Sequence, residues 1–305
     1  MNPMRRLVSI ALALVLVLTA TSAFIRLSQS GLSCPDWPAC YGAPPATAFS
    51  EAWPVFFARV LHRIAASAAG IVLLVIAALG WQQWRNDSRR AVAVALVALA
   101  GLLAWLGIHT PSPLPAVTLG NLLGGMALLC LLAWLRQSDV LGETPQARPR
   151  FWIWVALALV ALQIALGGLI GARQAALACP GLPGCGGGLW PRGTDWRAFD
   201  PFLANGGLGE ASLQALHLAH RLGALLLAVL LAWIGWREVQ VRGVQPRRQG
   251  IALLALVAAQ IVLGAATLLA GFPVALAVAH NAVASLLLIV LAGMLSRLHP
   301  EEKRR

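Results

Sequence analysis

Six histidines occur in 305 residues, and four of them stand in long apolar runs. The stretch S-L-Q-A-L-H-L-A-H-R-L-G (Ser212–Gly223) places His217 and His220 one helical turn apart, with Arg221 directly after. V-L-H-R-I-A (Val60–Ala65) repeats the His-Arg pair as His62 and Arg63. His280 follows His220 by 60 residues, and the residue 59 after His62, in a matching apolar segment, is Asn121. Ionisable side chains are costly in such segments, so each marks a candidate site.

The chemistry open to them is metal ligation. A neutral imidazole offers a lone pair that suits iron, and two imidazoles on facing helices can hold a heme from both sides. Helix bundles build cofactor sites in this way. His220 and His280 are the obvious pair, and Arg221 beside the first of them suits a carboxylate such as a heme propionate. His217 shares a helical face with His220 and can act on it as a neighbour. The competing reading is that each histidine hydrogen-bonds to an adjacent helix and binds nothing. His109, beside Thr110 and Pro111, and His299, in a charged tail, read as interfacial.

Only a membrane can surround these residues with so much apolar sequence. Hydrophobic residues make up 59% of the chain and charged ones 11%, which excludes a soluble domain. Hydropathy predicts eight spans, near 7–25, 54–82, 91–108, 116–135, 151–171, 212–236, 250–270 and 274–296, each close to the ~20 residues a bilayer requires. Basic residues precede the first run as in a signal peptide. With no clear small-residue cleavage site it reads as a retained helix. The fold class expected is an all-α integral membrane protein of eight transmembrane helices, arranged as two parallel-repeat four-helix bundles.

A net charge of +12 raises the possibility of a nucleic-acid partner, and its distribution rejects it. Sixteen of the 23 basic residues fall in the five segments on one side of the spans; only Arg26, Arg173, Arg192 and Arg197 fall on the other. That bias orients a membrane protein with both termini cytoplasmic.

The two-fold repeat rests on three landmarks in register. Cys34-Pro-Asp-Trp-Pro-Ala-Cys40 recurs as Cys179-Pro-Gly-Leu-Pro-Gly-Cys185, His62–Arg63 as His220–Arg221, and Leu119–Met126 lies where Val278–Ser285 lies. An even helix count per repeat makes the halves parallel. Both cysteine pairs fall in external loops, where disulfides persist in an oxidising compartment. The short spacing favours a local bridge in each, Cys34–Cys40 and Cys179–Cys185, while cross-pairing stays open, as does a redox rather than a stapling role. Cys130 reads as a small hydrophobe inside the fourth span.

Together the motifs resemble those of the heme A synthases. They run R-L-S-Q-S-G-L-S-C-P-D-W-P-A-C-Y-G (Arg26–Gly42), L-H-R (Leu61–Arg63), L-L-G-G-M (Leu122–Met126), Q-I-A-L-G-G (Gln163–Gly168), H-L-A-H-R-L (His217–Leu222), Q-I-V-L-G (Gln260–Gly264) and A-V-A-H-N (Ala277–Asn281). The resemblance implies oxidation of the C8 methyl of heme O to a formyl group, giving heme A for terminal oxidase assembly. It implies residues 144–305 as a heme b half with His220 and His280 as axial ligands, and 1–143 as the half receiving substrate heme near His62, Arg63 and Asn121. It implies a multi-pass protein of the bacterial cell membrane, in the same route as a heme O synthase and oxidase assembly factors; it leaves a homo-oligomer open.

The first half departs from the family pattern. Arg59 stands where the family has a glutamate implicated in the reaction, Asn121 where it has a histidine, and Gly101 where it has a glutamine. The catalytic residues are therefore unassigned, and a non-catalytic heme-b-binding paralogue is the alternative expectation. A transporter with parallel repeats would need a broken helix or a midplane carboxylate, and the sequence offers neither.

Overall fold

The computed structural model describes residues 3–28, 53–85, 87–110, 112–138, 150–179, 181, 184–185, 190–204 and 208–297. Eight helices follow in chain order: α1 Pro3–Leu27, α2 Trp53–Gln83, α3 Ser88–Ile108, α4 Pro115–Ser138, α5 Arg150–Ala172, α6 Glu210–Val239, α7 Val244–Leu269 and α8 Val274–Arg297. Each is long and apolar enough to cross a bilayer. A helix satisfies its own backbone polar groups, as lipid demands.

Most helices outrun their predicted spans. The clearest case is α7, expected from residue 250 and found from Val244, so that Arg247 and Arg248 lie inside it. Hydropathy stops at charge, whereas backbone hydrogen bonding continues to the cap. Proline opens α4, where its missing N–H costs nothing. Asp87 caps α3 by accepting from the Arg89 amide at 2.9 Å.

Within the first half, α1 packs on α2, α2 on α3, α3 on α4 and α4 on α1; α5 to α8 close a second ring in the same way. The rings join where α8 lies against α4 and α1, and α4 against α5. Exchanging the halves maps α1·α8 onto α5·α4 and α4·α8 onto itself, as a two-fold axis along the membrane normal requires. On that seam the buried Ser285 hydroxyl lies 3.3 Å from Met126 Sδ. These are the last residues of the two matched segments, so like meets like at the axis. Fully buried side chains also line the seam: Leu129, Leu132 and Leu135 of α4 and Leu291 and Met294 of α8 belong to one core cluster.

Away from the seam the helices face lipid. Leu225, Leu226 and Val229 of α6 are largely exposed, as lipid tails permit. Aromatic and basic side chains collect at the end away from Cys179 and Cys185: Arg90 lies over Trp81, 3.4 Å from its ring centroid, and Trp152 meets Trp233 edge-on at 5.5 Å. The proposed boundary between residues 143 and 144 lies outside the described residues.

Candidate functional site

The second ring sets its chemistry on diagonals. His220 on α6 and His280 on α8 occupy opposite helices of the ring, and Gln163 on α5 and Gln260 on α7 occupy the other two. Each glutamine meets one histidine. Gln163 Nε2 lies 3.0 Å from His220 Nδ1 and donates to the carbonyl oxygen of His220 at 2.5 Å. Gln260 Nε2 lies 3.1 Å from His280 Nε2. One helical turn beyond each glutamine stands a glycine against the same ring. A Cβ on Gly167 would come within 3.1 Å of His220 Cε1, and one on Gly264 within 3.1 Å of His280 Cε1.

These side chains fit a heme iron by a direct criterion. His280 Nδ1 is buried with no hydrogen-bond partner, and so is Gln260 Oε1. A buried nitrogen that the protein leaves unpaired is costly unless something else takes its lone pair. On His220 the glutamine occupies Nδ1 and leaves Nε2, the other nitrogen of the ring, for a metal.

His217 turns toward the backbone of Ala175, and its Nδ1 is buried without a partner. Arg221 holds two carbonyl oxygens of the cysteine loop, that of Gly181 at 2.7 Å and that of Cys179. The loop is thus tied to the residue next to His220. Cys179 and Cys185 form a disulfide with their Cα atoms 5.0 Å apart. Arg173, buried just past α5, gathers the following turn by donating to the carbonyls of Ala198 at 2.8 Å and Asp200 at 2.7 Å. In that turn Arg197 donates to Asp195 at 2.8 Å and holds its carboxyl below the ordinary carboxylate range.

The first ring is built differently at the same places. His62 Nδ1 meets the Thr21 hydroxyl of α1 at 3.1 Å, with Arg59 and Arg63 half-buried on the same helix. Asn121 donates to the Thr110 hydroxyl at 3.0 Å, a bond at the end of α3 rather than across a cavity. Twenty residues separate Gln260 from His280, and the residue twenty before Asn121 is Gly101; Trp105 stands where the cradle glycine would be. A Cβ on Gly101 would meet nothing within 4 Å. His109 lies tilted against Trp105 with ring centroids 4.7 Å apart, and its Nδ1 meets the Trp105 carbonyl at 2.9 Å.

The family model for cytochrome oxidase assembly proteins, COX15-CtaA, matches residues 5–292. The chain belongs to that family. Among curated relatives, the heme A synthase of Shewanella oneidensis is 31% identical over 93% of this chain and 93% of its own length. That of Methylobacterium sp. strain 4-46 is 29% identical over 93% of this chain and 89% of its own, and that of Sphingopyxis alaskensis 27% over the same shares.

The placement of His220 and His280 on two helices of one half was legible from spacing, and the glutamines were legible only as fragments of motifs. Q-I-A-L-G and Q-I-V-L-G repeat with the same four-residue step. That step puts both side chains on one helical face, a signal that spacing alone carried. Cys34 and Cys40 lie outside the described residues. Peptide mapping without reduction is expected to return Cys34–Cys40 beside Cys179–Cys185. Finding Cys34 joined to Cys179 or Cys185 would refute local closure.

Proposed function

We propose that this protein is a heme A synthase: it oxidises the C8 methyl of heme O to a formyl group, for use in terminal oxidase assembly. In this reading residues 144–305 hold a resident heme b and residues 1–143 receive the substrate heme. The observation that carries it is the pair of cradled histidines, His220 and His280, each set against its own Gln-x-x-x-Gly turn, in a chain whose relatives named heme A synthase align over nearly its whole length.

Bound between these imidazoles, heme b would supply one-electron transfer. The protein's own part is positional. His220 and His280 present lone pairs from opposite helices, and the apolar walls of α5 to α8 keep water from the ring. Arg221 anchors the external loop over this end of α6. In the first half His62 would be the imidazole for substrate heme, while Arg59 and Arg63, four residues apart on one helical face, suit its propionates. Both termini lie in the cytoplasm and the cysteine loops outside, with a heme O synthase upstream and oxidase assembly factors downstream.

The first half supports a second reading, a heme b protein without the synthase reaction, because Arg59 and Asn121 replace a carboxylate and a histidine. Heme extracted from the purified protein, before and after supply of heme O under aerobic reducing conditions, decides between them. Heme A is the expected product. Heme b alone after heme O supply assigns the non-catalytic role, and a protein that takes up neither heme rejects both readings.

A further inference from the structure

We propose that Gln163 and Gln260 are positioning residues that fix the ring orientation of His220 and His280, Gln260 also setting the basicity of His280, each with a glycine one turn on that makes room for the ring. The proposal rests on the reading of those histidines as heme ligands. It begins from a property of the side chain. The torsion that turns an imidazole about its Cβ–Cγ bond has broad wells, so the ring of a ligand must be held from outside. In a watery site solvent can do this; in an apolar ring of helices another group of the protein must.

Each histidine has one such neighbour in the described structure, and the two contacts have the same origin. Gln163 and Gln260 lie on the helices preceding those of their histidines and touch one ring nitrogen each, at 3.0 and 3.1 Å. Gly167 and Gly264 stand four residues later, and a methyl at either would press on Cε1 of the corresponding ring. An alanine there would press the imidazole back by a few tenths of an ångström. Glutamine and glycine together therefore form a slot: the amide meets one ring atom and the bare backbone meets another.

The roles of the two amides differ in detail. Gln163 also grips the carbonyl oxygen of His220, so it locks the helix as well as the ring. Gln260 grips only the ring, and its Oε1 is buried without a partner. A histidine that gives one nitrogen to iron carries a proton on the other, and an acceptor on that proton makes the ring a stronger donor. Turning the Gln260 amide over supplies that acceptor from the oxygen that is otherwise orphaned.

The first half shows the slot dismantled. Gly101 and Trp105 occupy the places of Gln260 and Gly264, and the residue in the place of His280 is Asn121, bonded to Thr110. Loss of the ligand and loss of the slot go together.

The test uses full-length protein in detergent, with heme content, the reduced α-band and the midpoint potential as readouts. Gln260→Leu and Gln163→Leu are expected to weaken heme retention by about 10–100-fold, the usual effect of removing a group that orients a ligand. Gln260→Glu should keep the heme and lower its midpoint potential, since a carboxylate is a stronger acceptor than an amide. Both leucine variants with wild-type heme content, band position and potential would overturn the proposal. Should the leucine variants not accumulate, an unchanged potential in Gln260→Glu overturns it alone. Wild-type protein that holds no heme at all would instead remove the ligand reading beneath it.

Discussion

Protein carrying His220→Ala or His280→Ala should lose the bis-imidazole heme spectrum of the second half. In the proposed reading the two rings would hold the iron from α6 and α8, and among the described residues no other histidine of the second half takes a comparable place. His217 lies a turn away on α6 and faces the backbone of Ala175 rather than sharing a glutamine slot. Loss of one ligand leaves a five-coordinate iron or one with a weak sixth ligand, so the low-spin bands should vanish even where some heme stays. The expected effect is thus larger than that of the glutamine changes, which disturb only how the ring is held. Helix content should persist, because neither histidine is among the buried residues of the hydrophobic core. Reduced-minus-oxidised spectra of each variant check it. A protein with both histidines replaced and the full wild-type spectrum would sink the assignment.

The second large effect is a gain. In the first half, Asn121→His should raise heme occupancy, and Gly101→Gln added to it should raise occupancy again. An amide is a poor axial ligand beside an imidazole, and Asn121 is already engaged with Thr110. Gly101 has open space at its Cβ and stands at the spacing that Gln260 keeps from His280, so a glutamine there has room and the right register. Arg59→Glu on this background should increase conversion of heme O, because a carboxylate can take part in proton transfer where a guanidinium cannot. Heme content per chain and the yield of heme A from heme O measure the two effects separately. Native protein already converting heme O at full rate, with occupancy and rate unmoved by Asn121→His, would mean that the first half works through other ligands.

Much of this architecture was visible before any coordinates. Eight spans follow from hydropathy because lipid leaves the backbone so few choices. The helix ends were not legible: at α7 the charge of Arg247 and Arg248 ends the apolar run, and the backbone ignores it. The loop contacts of Arg221 were also hidden. Its type suggested an anion, and the fold adds two loop carbonyls, because the cysteine loop folds back over α6 at that point. The glutamines show a different limit. Residue type marks glutamine as a donor and acceptor, but which helix lies beside it, and so which ring it touches, is a property of the packed ring.

The Met126–Ser285 contact has a consequence for how the two halves influence each other. Asn121 precedes Met126 by five residues and His280 precedes Ser285 by five, so both positions hang roughly 7.5 Å along their helices from one shared contact. A bulkier side chain at that contact would spread α4 from α8 and disturb both ends of the lever in the same stroke. The chain is in effect a dimer whose subunits cannot separate. A change at the contact therefore reaches both halves at once.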